Sequence, residues 1–257
     1  MQRLMWQRAA SGAVAMTLAL GLVACSSDEA SDDGDEPTEE SAGGLGAEAC
    51  DLSVGIQAAM AGAPQDPAEM GPFIEGDVLP QVEELRAAVP EDLAPAVDDL
   101  AAGLEQLAGG DMAVFESPDY LGAQETLGAA VHDGCDATQV DVTAVDYAYE
   151  GVPSRIDAGL TSFALTNEGV EDHEIVVFKA NEGADEPLEE LLELPEEEMM
   201  SKLTFTGVAF GGPGTTSYAA LDLEPGTYHL VCFIPTGGGE EGPPHFMEGM
   251  QQTITVA

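Results

Sequence analysis

The apolar residues of this 257-residue chain change period near Ala137, and that change sets what it can fold into. Upstream, Leu93, Val97, Leu100, Leu104 and Leu107 recur in steps of four and three, which places them on one face of a helix. Val78, Val82, Leu85 and Val89 do the same, with shorter matches at Leu52, Ile56 and Met60 and at Tyr120, Gln124, Leu127 and Val131. Ser117 and Pro118 supply a cap and a first residue for the last of these. Ala63-Pro64, Val89-Pro90 and Gly109-Gly110 separate the segments, so residues 49–136 are expected to form a small all-α helical bundle. Downstream the pattern alternates between turns. Strands are expected over Gln139–Tyr149, Leu160–Asn167, Glu174–Ala180, Leu203–Val208, Thr215–Leu223, Thr227–Phe233 and Gln251–Val256. In the first, Val140 and Val142 fall in one parity and Val145, Tyr147 and Tyr149 in the other, which implies a bulge between them. An acidic helical insertion around Pro195 covers Leu188–Lys202. Seven strands in about 120 residues suit a sandwich, so the chain reads as α+β in two parts, with residues 137–257 the all-β part.

The N-terminus reads as targeting. Arg3 and Arg8 precede an uncharged apolar stretch from Ala9 to Ala24. Its end, Leu22-Val23-Ala24-Cys25, is similar to a bacterial lipoprotein signal. That resemblance implies a signal peptide over residues 1–24, lipidation of Cys25 and an extracytoplasmic protein anchored to the cell membrane by lipid. Residues 25–48 carry nine carboxylates and no cation, too polar to bury a core, and are expected to be a disordered acidic tether. Over the whole chain 6 Lys+Arg face 49 Asp+Glu, a formal net charge of −43. Phosphate recognition needs clustered cations, so no nucleic-acid partner is expected.

In an oxidising compartment Cys50 and Cys135 can bridge, tying the start of the first helix to the end of the last. The alternative is metal or redox chemistry with His132 as partner, but cysteines so far apart lack the close pairs of a zinc or dithiol site.

The stretch NEGVEDHEIVVF (Asn167–Phe178), together with PGTYHLVCFIP and the later HFMEGMQQTITV, resembles the plastocyanin/azurin-like cupredoxins. That family binds one copper through a His after the third strand, a Cys ending the penultimate strand, and a second His and a Met in the loop that follows. The resemblance implies a Greek-key sandwich and a type 1 copper site at His173, Cys232, His245 and Met250, with Met247 as a rival axial ligand. Twelve residues separate Cys232 from His245, more than the family usually has, and the insert TGGGEEGPP is expected to loop out. His229 falls in the outward parity and is expected at the surface.

Independently of the family, a thiolate, two imidazoles and a thioether form the donor set of a trigonal copper centre suited to electron transfer. The set also accounts for all four cysteines: one lipidated, two paired and one ligand. The expected function is a membrane-anchored electron carrier, not an enzyme, exchanging electrons with a redox partner protein. His245 would be the exit edge, framed by Pro243, Pro244, Phe246 and Met247. Copper capture and delivery, or a metal-free interaction module, are the alternatives. No Ser/His/Asp or paired-carboxylate arrangement for hydrolysis stands out.

Overall fold

The computed structural model describes residues 45–64, 66–184, 186–238 and 242–257. The expected signal segment, Cys25 and residues 26–44 of the tether lie outside the described residues.

The helical region contains α1 (Ala47–Ala61), α2 (Pro67–Phe73), α3 (Leu79–Ala88), α4 (Ala94–Ala108) and α5 (Pro118–Gly134). The heptad-like stripe of α4 buries Val97, Leu100, Leu104 and Leu107 against Val82 and Leu85 of α3 and Tyr120 and Leu127 of α5. Helix α2 was not expected, because Gly71 and Pro72 interrupt any apolar stripe there. It starts on Asp66, whose carboxylate accepts the Ala68 amide at 2.9 Å, and runs through a π-helical stretch, Ile74–Val78, into α3. Ser117 precedes α5 but makes no capping bond with its side chain; Pro118 at the first position presets the backbone instead. The bridge between Cys50 and Cys135 is present, with Cα atoms 5.8 Å apart, and joins α1 to the residue that ends α5.

The strands form two sheets. One has the order β2-β1-β4-β7, from β1 (Thr138–Val145), β2 (Ala148–Glu150), β4 (Gly159–Asn167) and β7 (Thr216–Leu223). The other has the order β3-β9-β8-β5-β6, from β3 (Arg155–Ile156), β5 (His173–Ala180), β6 (Leu203–Gly211), β8 (Gly226–Val231) and β9 (Gln251–Val256). The parity change after Val142 has a different cause from the expected bulge: the chain turns at Asp146-Tyr147 and β2 pairs back on β1, Val145 opposite Ala148. The two-residue β3, too short to show a period, pairs with β9 at the sheet edge.

Phe163 and Leu165 of β4, Ile175 and Val177 of β5, and Tyr228 and Leu230 of β8 fill the space between the sheets. The outer faces are covered as well. On the five-stranded sheet, Leu188 and Leu191 of α6 (Leu188–Leu192) pack on Val176, Phe178 and Val231, and α7 (Glu196–Lys202) follows it. This cover explains why β5 reads HEIVVFKA, apolar on both faces, where a half-buried strand alternates.

The helical region covers β4 and β7. A Cβ on Gly128 of α5 would lie 2.6 Å from Cβ of Tyr218, so glycine is what lets helix and strand approach. One turn on, buried His132 lies 3.0 Å through Nδ1 from Ser162 Oγ and 3.4 Å through Nε2 from Asp141 Oδ1. From α1, Gln57 Oε1 accepts the amide of Ala220, on edge strand β7, at 3.0 Å. A buried amide that no strand pairs thus finds its acceptor on the helical side.

Candidate metal centre

Antiparallel pairing of β5 with β8 and of β8 with β9 brings three chain segments to one end of the sandwich. His173 opens β5, Cys232 follows the last residue of β8, and Met250 immediately precedes β9. His245 returns to the same place because the insert closes at its base. The Thr236 amide donates to Pro243 O at 2.9 Å, the His245 amide to Ile234 O at 2.8 Å, and the Phe246 amide to Cys232 O at 2.9 Å. A 3-10 turn, His245–Glu248, then leads to Gly249 at φ 114, a left-handed conformation that suits glycine, and the Met250 amide donates back to His245 O. The twelve-residue separation costs no convergence, since backbone bonds pin both of its ends.

All four expected ligands have side chains with no exposure: His173, Cys232, His245 and Met250 each lie at 0%. Ligand atoms of His173, Cys232 and His245 lie within 4.8 Å of one another. His245 Nδ1 is 3.2 Å from His173 Nδ1 and 3.3 Å from Cys232 Sγ. Met250 belongs to the same buried cluster as Cys232, whereas Met247 is 67% exposed. The alternative axial residue is therefore turned out to solvent.

The outer edges of both rings face acids. His173 Nε2 lies 2.8 Å from Asp146 Oδ1, and His245 Nε2 lies 3.0 Å from Glu171 Oε2. Carboxylates accept only, so each Nε2 donates, and a neutral ring so held presents its Nδ1 lone pair inward. Two lone pairs 3.2 Å apart beside one thiol exceed what the single thiol proton can bridge. The arrangement calls for a cation among them, and a soft thiolate with two imidazoles and a neighbouring thioether suits copper. Burial pushes the Cys232 thiol up to about 11, only partly offset by the Glu174 and Ile234 amides. A metal ion must therefore displace that proton to be held. Glu174 is spent on the scaffold: its Oε1 accepts the Phe233 amide at 3.0 Å, and burial raises its carboxyl despite that bond.

Two expectations about neighbouring residues are corrected. His245 does not form an open edge, because Glu171 and the Tyr147 ring, 4.6 Å between centroids, close over it. Phe246, half-buried, packs edge-on against Phe233 at 5.4 Å. His229, expected at the surface, is 4% exposed and paired with Thr253 Oγ1 at 2.9 Å. Its strand face does point away from the inter-sheet core, but that face lies in the sheet that the acidic insertion covers.

No family model matches the chain, and neither does any curated protein. Among solved structures, auracyanin from the photosynthetic bacterium Roseiflexus castenholzii is similar at 20% identity, covering 47% of this chain and 98% of its own, with a TM-score of 0.33. Auracyanin A, a "blue" copper protein from Chloroflexus aurantiacus, matches at 16% identity over 47% of this chain and 99% of its own, TM-score 0.32. Rusticyanin from Thiobacillus ferrooxidans matches at 15% identity over 48% of this chain and 79% of its own, TM-score 0.32. The sandwich holds its ligand-type side chains at one end of its two sheets.

Proposed function

We propose that this chain is a type 1 copper protein that carries electrons outside the cytoplasm while anchored to the membrane through Cys25. One observation carries the copper reading: the inward nitrogens of His173 and His245 and the sulfur of Cys232 meet in a fully buried space. These three residues would hold the ion, with Met250 as the weak fourth donor. Copper in such a set supplies a one-electron couple with little change of geometry between its two states. The chain's own part is to exclude water, to fix both rings by their outer nitrogens and to keep the thiol away from oxidants. One electron is accepted from a reduced partner protein and passed to an oxidised one, with no bond made or broken in either partner, so the reading is a carrier and not an enzyme. The lipid anchor rests on the Leu22-Val23-Ala24-Cys25 sequence, and membrane retention lost in Cys25→Ser is its test.

Loading the chain with cupric ion tests the metal reading. An intense visible thiolate-to-copper band, absent in Cys232→Ser, is expected. Tight cuprous binding with no such band in the cupric protein would instead assign capture and delivery.

A further inference from the structure

The proposed copper site accounts for four residues, yet two more side chains are built into it with equal care. Asp146 comes from the turn between β1 and β2, and Glu171 from the loop between β4 and β5. Their side chains are only 27% and 19% exposed, low for carboxylates in a chain whose other acids are mostly at the surface. Each reaches the outer nitrogen of a different imidazole, and each is itself held in place. Glu171 Oε2 also accepts the Gly237 amide at 2.9 Å, and its Oε1 accepts the Tyr147 hydroxyl at 3.1 Å. Both oxygens of Asp146 lie 3.3 Å from the Val170 amide. The backbone leaves room for this. A Cβ on Gly169 would sit 2.3 Å from Asp146 Oδ1 and 2.6 Å from His173 Nε2, so only a residue without a side chain passes over that pair. Asn167, fully buried, folds the same loop by accepting the Gly169 amide and donating to Glu171 O and Gly211 O, each at 2.8 Å.

We propose that Asp146 and Glu171 are positioning residues that lock His173 and His245 with Nδ1 inward and strengthen both imidazoles as donors to the cupric state. This rests on the copper reading above. A carboxylate that accepts Nε2–H fixes the tautomer and ring orientation of a ligating histidine and raises its basicity; losing such a partner typically costs 10- to 100-fold in metal affinity. The more highly charged ion gains more from two nearby anions, so the pair favours the cupric over the cuprous form. Their removal therefore raises the reduction potential.

The test compares Asp146→Asn and Glu171→Gln with Glu168→Gln in the full chain. Glu168 is an exposed acid of the same loop, with no side-chain bond to either ring among the described residues. Both positioning variants are expected to keep the visible band, to bind cupric ion about 10- to 100-fold more weakly, and to shift the potential upward, by about 59 mV for each tenfold loss of cupric over cuprous affinity. Glu168→Gln should move it far less. In the metal-free chain, the Nε2 proton resonance of the partnered histidine should move upfield in each variant, a readout independent of bound copper. A normal band in the wild type with unchanged potentials in both variants, or a shift as large in Glu168→Gln as in Glu171→Gln, overturns the proposal alone. Absence of the band from the wild type overturns the copper reading and this proposal with it.

Discussion

The helical region and the sandwich differ in what they bury. Among the described residues of the helical region the buried polar side chains are Ser53 and His132, and each has an ordinary partner: Ser53 donates to Ala49 O at 2.8 Å, and His132 is held by Ser162 and Asp141. In the sandwich, His173, His245 and the Cys232 thiol are buried facing one another, with inward lone pairs that no protein donor satisfies together. Burying polar groups costs free energy unless they are bonded. Among the described residues the helical region pairs its buried polar side chains one by one and serves as scaffold, whereas the sandwich gathers two imidazoles and a thiol in one buried space, and that convergence marks the site. A Ser/His/Asp contact that residue spacing does not reveal is present at Ser162, His132 and Asp141. Ser162 is fully buried beneath α5 and Asp141 is 89% exposed, so the trio clamps helix to sheet and offers no nucleophile to a substrate.

If this division holds, cutting the bundle's covalent tie should damage one region and spare the other. The bridge spans a sequence separation of 85 and, in the loop-entropy account, its loss together with altered solvation costs about 2–5 kcal/mol. The double variant Cys50→Ala, Cys135→Ala is expected to unfold at correspondingly lower denaturant, while the copper-loaded chain keeps its visible band. Loss of the band as well would show that the site depends on the bundle, and the comparison would break.

A pH titration of the metal-free chain sharpens the same contrast from the other side. Cys232 is a thiol held at about 11 in the fold against roughly 8.5 in an unfolded chain. The unfolded state ionises first, so the stability tied to the neutral thiol is fully present below about pH 8.5 and is lost as pH rises toward 11, to a total of roughly 3 kcal/mol. Burial also raises Tyr120 and Tyr149, but tyrosines ordinarily titrate near 10. The interval from about 8.5 to 10 therefore isolates the thiol. Stability measured there should fall in the wild type and stay level in Cys232→Ser; equal slopes would place the effect elsewhere.

Periodicity made α1, α3, α4 and α5 legible because their buried residues recur on one face, and the order His173, Cys232, His245, Met250 made the ligands legible because histidine and cysteine are scarce in this chain. Asp146 and Glu171 were not legible. With 49 Asp+Glu in the sequence, two that turn inward look like all the others, and only the folded backbone distinguishes them. His229 was misplaced for a related reason: strand parity says which face a residue takes but not whether another element, here α6 and α7, covers that face. The run through α2 escaped because its contacts come from α4 and not from a stripe of its own.

The smallest expected effect concerns the joint between the two regions. Gln57 gives β7 the acceptor that its open edge lacks, and Ala220, which donates to it, is 2% exposed. Truncation to Gln57→Ala leaves that buried amide without a partner, a loss of about 1 kcal/mol or somewhat more. Gln57→Glu keeps an acceptor oxygen at the same reach, at the cost of one more negative charge in an acidic chain, and should recover part of the loss. Hydrogen exchange gives the more direct readout. The Ala220 amide should exchange faster in Gln57→Ala than in the wild type, while the amides of Cys232 and Met250, which bond across the far end of the sandwich, should be unchanged. Equal acceleration at all three would mean that the helical region and the metal centre open together, so that the joint carries mechanical coupling and not only edge protection. An unprotected Ala220 amide in the wild type would show that α1 does not close this edge in solution.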